Sequence, residues 1–326
     1  MHEIPVDLSR LPILSGDGIH YARMQGLILA AGALQRPQAI ASETGYLLAS
    51  ILTALPNSST LVIDCKHISY IEHHALEPVS RALAAKRSSL LLIDTADISS
   101  DLGAIQAPVR TTTETRDFEF TFCGHGLAPS IVEKIFSDCR KREVDEVHRA
   151  VKESVAGFPT RRLASTPVKT NVAYNARKIL ASPPHFIWTT LLLADELRTI
   201  LQELKSPRTP VVMAVSLRSS PFAVGAALLT STTCEIIDHM GPTPKILEDQ
   251  FVLDSRVQQE SIYLGDFCIG GTEIRIAQTY ALLRGRAMRR GLVIGCLVEE
   301  PSAFSGIQLH SLTQLRRICP EAKYEL

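Results

Sequence analysis

At 326 residues the chain exceeds one ordinary core and suits two, since domains of about 100–150 residues are commonest. Its 34 basic and 34 acidic residues cancel, which excludes a general attraction for nucleic acid or an anionic membrane and leaves phosphate binding to local groups. Hydrophobic residues make up 45% and aromatic ones 6%, in Leu/Ile/Val/Ala runs too short to cross a bilayer, the composition of a soluble α/β protein. The opening Met1-His2-Glu3 lacks a basic stretch followed by an apolar one, so a cytoplasmic location is expected. The seven cysteines (Cys65, Cys123, Cys139, Cys234, Cys268, Cys296 and Cys319) form no CxxC pair. Several lie in apolar runs, as buried free thiols do. His73 and His74 with distant cysteines lack zinc-ligand spacing.

In chain order, an apolar patch at Leu11–Leu14 precedes a Gly-punctuated helical stretch from Ile19 to Leu34. A second helix is expected over Gln38–Leu55, from the spacing of Ile40, Leu47, Leu48, Ile51, Leu52 and Leu55, with Pro56-Asn57 stopping it. Thr60–Asp64 reads as a buried strand, followed by a helix Ala75–Lys86 and a strand Leu90–Asp94. This alternation predicts a small sheet with helices packed on it. Residues 61–94 resemble the anti-sigma-factor-antagonist (STAS) fold. Where that family places a small Ser/Gly pair at its phosphorylated helix start, this chain has Glu72-His73-His74, so the resemblance implies a shape and no function. The His pair reads as a surface feature of a helix start.

From Pro108 to Phe158 the character changes. Thr111–Thr115 reads as a polar loop, and Phe118–Phe122 alternates like a strand with one wet face. An amphipathic helix from Pro129 to Val155 carries Ile131, Val132, Ile135, Phe136, Val144, Val147 and Val151 at helical spacing. Its Arg140-Lys141-Arg142 run reads as a solvated face. The expected organisation is therefore a first α/β domain over 1–110, a connector over 111–158 and a second domain over 159–326.

The second domain gives the clearest alternation: helix His185–Leu204, strand Pro210–Val215, helix Phe222–Thr230, strand Cys234–Ile237, a polar loop to Gln259, strand Ser261–Leu264, helix Glu273–Arg284 and strand Gly291–Val298. Such an order predicts a parallel sheet with binding loops at the carboxyl ends of its strands. Trp188 reads as core packing. Arg284, Arg286, Arg289 and Arg290 are expected at a helix end, where cations suit the dipole.

Within Ser261–Gln278 an apolar strand is expected to end at Asp266, with a loop through Ile269, Gly270, Gly271 and Thr272 and a helix at once. A helix start leaves backbone N–H groups unpaired and carries partial positive charge, which suits phosphate. Paired glycines admit positive φ and close approach of a ligand. Thr272 either caps the helix or bonds a phosphate oxygen. Asp266 suits ribose hydroxyls or a divalent metal reached through water. The bland alternative is an ordinary strand-to-helix turn capped by Thr272.

The stretch from Leu163 to Glu299 resembles the type I phosphoribosyltransferases, and among them the orotate enzymes. In that family the phosphoribosyl diphosphate loop is a buried strand, two acidic residues, two apolar ones, two Thr-like ones, then Gly-Gly-Thr or Gly-Gly-Ser and a helix. Leu264-Gly-Asp-Phe-Cys-Ile-Gly-Gly-Thr272 is similar, with Asp266 on the second acidic position. Leu163–Leu180 looks like the family's opening segment. Val211–Leu228, with Ser216-Leu-Arg-Ser-Ser220, looks like its strand, pyrophosphate loop and helix. The resemblance implies that Asp266 is the catalytic and metal-linked carboxylate. It further implies that Asp266, Ile269, Gly270, Gly271, Thr272, Arg218, Ser219, Ser220 and Lys169 surround the ligand. Phosphoribosyl diphosphate would be the substrate, with Mg2+ if the module is catalytic.

The departures are specific. Gly265 replaces the first acidic residue, Ile269 replaces the paired Thr positions in a loop one residue shorter, and Ser216-Leu217-Arg218 lacks small residues. The catalytic-loop stretch offers His239 and Lys245 and little else. These losses favour binding of a phosphorylated ribose compound or nucleotide over turnover. Fused to a further domain, such a module resembles accessory or effector proteins of bacterial conflict systems, retron cassettes among them. This implies a protein partner or homo-oligomer, with nucleic acid reached only through a partner and no membrane. The alternatives are a housekeeping orotate-like transferase and a noncatalytic interaction subunit.

Overall fold

A computed structural model of the chain describes residues 7–33, 37–85, 88–98, 101–105, 110–115, 118–123, 129–162, 169–204, 206, 208–237, 259–297 and 306–325. The chain divides into two compact units, Met1–Asp145 and Glu146–Leu326. No described helix is long and apolar enough to cross a membrane.

The first unit begins with β1 (Leu14–Gly16), β2 (Ile19–Arg23), α1 (Met24–Ala30), β3 (Ala39–Ile40), α2 (Ser42–Ala54), β4 (Thr60–Asp64), β5 (Tyr70–Ile71), α3 (Glu77–Ala85) and β6 (Ser89–Ile93). It continues through β7 (Arg110–Glu114), β8 (Glu119–Cys123) and α4 (Pro129–Ser154), within which the division into units falls. Six strands form one sheet in the order β1-β2-β4-β6-β8-β7, with β2, β4 and β6 parallel and the others antiparallel. Leu61, Val62 and Ile63 are fully buried, which is why an unbroken apolar run forms the central strand.

Several expectations need correction. The stretch expected to be helical from Ile19 begins as β2, because Ile19–Arg23 pairs residue by residue with Thr60–Asp64 and turns into α1 only at Met24. Thr111–Glu114 is β7 rather than loop, since β-branched threonines suit a strand and pair with β8. Strand β8 has no wet face over Phe120–Cys123: these residues are all buried, and β6 and β7 take up its two edges. Arg140 is no solvated cation: its Nη2 lies 2.7 Å from the Asp64 carboxylate.

That contact belongs to a buried charge network at the carboxyl ends of β2 and β4. Arg23 donates from Nε at 2.7 Å and from Nη2 at 2.5 Å to the two oxygens of Glu143 on α4. The Tyr21 hydroxyl donates to Glu143 at 2.5 Å and reaches Asp64 at 3.3 Å. Glu143 and Asp64 are each 1% exposed. Two guanidinium groups thus balance two carboxylates, which is the condition for burying charge at all.

The second unit comprises β9 (Val155–Arg162), β10 (Lys169–Tyr174), α5 (Ala176–Leu180), α6 (Pro183–Leu204), β11 (Val211–Ala214), α7 (Ser220–Leu229) and β12 (Thr233–Ile236). There follow β13 (Gln259–Cys268), α8 (Thr272–Leu283), β14 (Arg286–Cys296), β15 (Gln308–Gln314), α9 (Leu315–Ile318) and β16 (Tyr324–Glu325). Strands β12-β11-β13-β14-β15 form an all-parallel sheet, and β16-β10-β9 form a separate antiparallel one. Helix α8 lays Ile274, Ala277 and Ala281 into one apolar cluster with Val211, Met213 and Val293. Helix α6, with Trp188 buried, packs on α7, β14 and β15. This is an α/β sheet flanked by helices, with β11 and the middles of β13 and β14 buried and the edge strand β12 partly exposed. Arg286, Arg289 and Arg290 lie on β14 rather than at a helix end, and pair with Glu235, Glu260 and Glu203. The described residues exclude 163–168 of the family-like opening segment, and also His239 and Lys245.

Removing Glu143 alone takes away the buried carboxylate to which both Arg23 and Tyr21 donate, at a cost of about 3–5 kcal/mol. Glu143→Ala is therefore expected to speed amide hydrogen exchange throughout β2 and β4; protection equal to wild type would contradict this account of the network.

Candidate functional site

The parallel sheet reverses its order once. From β11 the chain steps outward to β12 and then returns on the other side of β11 as β13. The crevice at the carboxyl ends of such a pair is where open α/β sheets hold ligands, because the two following loops diverge there. Those loops are Val215–Ser219 after β11 and Ile269–Gly271 after β13.

Strand β13 runs on to Cys268, two residues beyond the end expected at Asp266. Gly271 then adopts φ +68° as the N-cap of α8 and offers no side-chain cap, so Thr272 is the first helical residue and not the cap. The left-handed conformation explains the glycine. Gly271 brings no cap side chain to the twelve-residue helix, whose first turn follows at once, while its backbone bonds the Cys268 thiol. Arg275 braces the turn by donating to the Gly270 carbonyl at 3.2 Å. Ile269 is half-buried and Cys268 buried. The Cys268 thiol is held far above its ordinary range by a hydrogen bond with Cys296 and by burial.

The loop after β11 is closed on itself. Ser219 is fully buried. Its amide bonds the Ser216 hydroxyl at 3.2 Å, and its own hydroxyl donates to the Ser216 carbonyl at 3.1 Å. The Ser220 hydroxyl donates to the Leu217 carbonyl at 3.2 Å. Ser219 and Ser220 thus hold the turn, while Arg218 is exposed and lowers the carboxyl pKa of both Asp266 and Glu273. Lys169 stands apart, exposed at the start of β10 in the antiparallel sheet.

Two residues that the sequence reading passed over complete the site. Tyr263, 2% exposed, turns its ring over Gly265, where an added Cβ would lie 2.2 Å from the Tyr263 hydroxyl. That hydroxyl donates to the Glu273 carboxylate at 3.2 Å. Burial and then the neighbouring Asp266 push the Glu273 carboxyl up to about 7. Burial also raises Asp266, against the opposing effect of the Phe267 amide, which donates to it at 2.7 Å. Phe267 stacks on Tyr174 with ring centroids 4.6 Å apart. The spacing of Tyr263 and Gly265 on alternate strand positions was the available signal, since residues two apart share a face.

Among the described residues no group of three or more His, Cys, Asp or Glu side chains converges as metal ligands. Asp266 Oδ1 receives the Phe267 amide, which leaves its second oxygen as the single carboxylate oxygen there that could meet a water-bridged Mg2+ brought in with a phosphate ligand.

What these features define is a parallel α/β module with a glycine-led helix start, and with Asp266 and Glu273 beside its switch point. No family model matches the chain, and no curated protein does. Among solved structures it is similar to an orotate phosphoribosyltransferase from Aeropyrum pernix at 19% identity, covering 53% of this chain and 97% of that one, with a TM-score of 0.40. An adenine phosphoribosyltransferase from Thermoanaerobacter pseudethanolicus matches at 13% identity, 50% and 97% coverage and a TM-score of 0.37. A Leishmania donovani UMP synthase matches at 11% identity over 90% of this chain, with a TM-score of 0.40, and the chain covers 60% of its length.

Glu273 titrates near 7 in the fold against 4.5 ordinarily, so the folded state binds more protons between those values and stability falls as pH rises through them. Glu273→Gln is expected to stabilise the second unit at pH 8 by about 1–3 kcal/mol and to give no gain at pH 4. Urea unfolding followed by the fluorescence of Trp188 reads this directly; destabilisation at pH 8 would contradict it. Gly265→Ala is expected to lower the unfolding free energy read from the same curves by about 1–3 kcal/mol, because its methyl group meets the Tyr263 hydroxyl.

Proposed function

We propose that the second unit binds a phosphorylated ribose compound, either phosphoribosyl diphosphate or a nucleotide, with its phosphate on the Gly270–Thr272 turn and its ribose at Asp266. The observation that carries this reading is the convergence of Arg218, Asp266 and the uncapped start of α8 at the switch point between β11 and β13. Backbone N–H groups and a helix dipole favour an anion irrespective of side-chain losses elsewhere. A carboxylate within reach of that anion suits hydroxyls rather than more phosphate, and Arg218 supplies the compensating charge.

Binding is the better-supported activity than transfer. Breaking a glycosidic bond at ribose requires stabilising positive charge at the anomeric carbon and negative charge on departing pyrophosphate. Gly265 removes one family carboxylate, and loss of one preorganised electrostatic group costs about 3–4 kcal/mol in a transition state. In a retron-type defence cassette the same binding would act as a sensor; the fusion of a divergent site to another α/β unit is what supports that extension.

Calorimetric titration with phosphoribosyl diphosphate and Mg2+ tests the reading. Wild type is expected to bind, with Asp266→Asn and Arg218→Ala each weaker by about tenfold or more. Pyrophosphate release on adding a nucleobase would move the protein to the transferase class. Absence of binding would overturn the proposal in favour of a noncatalytic interaction subunit.

A further inference from the structure

We infer that Cys268 and Cys296 are an oxidisable dithiol, a modification site at which hydrogen peroxide joins the two residues in a disulfide at the foot of the Ile269–Gly271 turn. The inference stands apart from the ligand proposed above and needs neither phosphate nor ribose.

The geometry is set by strand register. Strands β13 and β14 are parallel neighbours, and their ladder brings Cys268 level with Cys296, the last residue of each strand. Among the described residues no other two of the seven cysteines stand level on paired strands. Residues level on neighbouring strands turn their side chains to the same face of a sheet. Both thiols accordingly belong to the apolar cluster that α8 covers, and each residue is 4% exposed. Neighbouring strands run about 4.8 Å apart, inside the span of about 4.4–6.8 Å that a disulfide requires between Cα atoms. Beyond the pair the Leu297 amide donates to the Cys268 carbonyl at 3.0 Å, which holds the two strand ends side by side. The adjustment that brings the Cβ atoms to about 3.8 Å falls on those ends, where the Ile269–Gly271 turn rather than more ladder follows β13. Packing as a small hydrophobe accounts for each thiol singly. Their level placement, with a hydrogen bond between the sulfurs, is what makes them a pair.

Hydrogen peroxide, the smallest hydroperoxide, suits thiols with so little exposure. One cysteine sulfur attacks a peroxide oxygen, the O–O bond breaks, and a sulfenic acid and water result. The second sulfur attacks the sulfenic sulfur, the S–O bond breaks, and the departing hydroxide leaves as water with the second thiol's proton. Two thiols and one peroxide thus become one disulfide and two waters, the sulfurs giving up two electrons and the peroxide oxygens taking them. Burial and the hydrogen bond from Cys296 make the Cys268 thiol hard to ionise, so the first step is slow and answers sustained oxidant rather than a brief pulse. The second step is fast because the partner sulfur is already in contact.

The test treats folded wild type, Cys268→Ser, Cys296→Ser and Cys319→Ser with hydrogen peroxide, alkylates the remaining thiols, and reads intact mass and peptide maps without reductant. Wild type and Cys319→Ser are expected to lose two hydrogens and to yield peptides joined through Cys268 and Cys296, which dithiothreitol returns to free thiols. Cys268→Ser and Cys296→Ser are each expected to lack the joined peptides and to carry dimedone, a sulfenic acid trap, on the cysteine of the pair that remains. Wild type that keeps its native circular dichroism while both Cys268 and Cys296 are recovered alkylated overturns the inference. So does a disulfide from either residue to Cys319, or a Cys268–Cys296 bond that forms only in urea. The wild-type result decides the matter even where a serine variant does not fold.

Discussion

A strand of the parallel sheet hands over to a helix within three residues, and the amide-rich start of that helix faces the one crevice where the sheet's order reverses. This junction constrains much of the second unit. The left-handed backbone at position 271 excludes a side-chain cap there, and it sets the first turn of α8 against the carboxyl edge of β13. The apolar face of α8, through Ile274, Ala277 and Ala281, then holds the helix on the sheet, so the dipole keeps a fixed aim. A loosely docked helix would spread the same partial charge over several orientations and lose the preorganisation that makes an anion site effective.

Charge in the site is arranged at some cost to stability. Asp266 and Glu273 are both held above the usual carboxylate range by burial, Asp266 pushes Glu273 further up, and Arg218 opposes the rise in both. The first unit shows the opposite solution to the same problem. There Arg23 and Arg140 meet Glu143 and Asp64 directly, the Tyr21 hydroxyl bridges the two acids, and the cluster closes upon itself. A closed cluster serves packing. Among the described residues no cation is held against Asp266 and Glu273 in the same way, and that contrast is what supports reading them as part of a binding site.

Much of the fold was legible because burial leaves a signature in composition. Unbroken apolar runs at Thr60–Asp64, Leu90–Ile93 and Val211–Ala214 are strands covered on both faces, and the Gly-Gly-Thr step marked the handover to α8. Sequence reasoning failed where partners distant in the chain decide. Ile19–Arg23 has a mixed pattern and becomes a strand only by pairing with Thr60–Asp64. Arg140 lies in a run of three cations that looks solvated until Asp64 is brought against it. Local chemistry singled out Asp266, Gly270 and Gly271, which lie at the end of β13 and just before α8. Glu273 and Tyr263 were not, since their roles arise from a ring crossing a glycine two residues along a strand to meet a helix. The sequence also suggested Ser219 and Ser220 as anion donors, but they spend their hydroxyls on the chain's own carbonyls.

The most direct measurement is the backbone amide NMR spectrum of the protein titrated with ribose 5-phosphate. If the helix start grips the phosphate, the amide protons of residues 270–274 shift downfield together and saturably, as donors to an anion do. Saturable shifts confined to other parts of the chain, or none at all, would contradict the account.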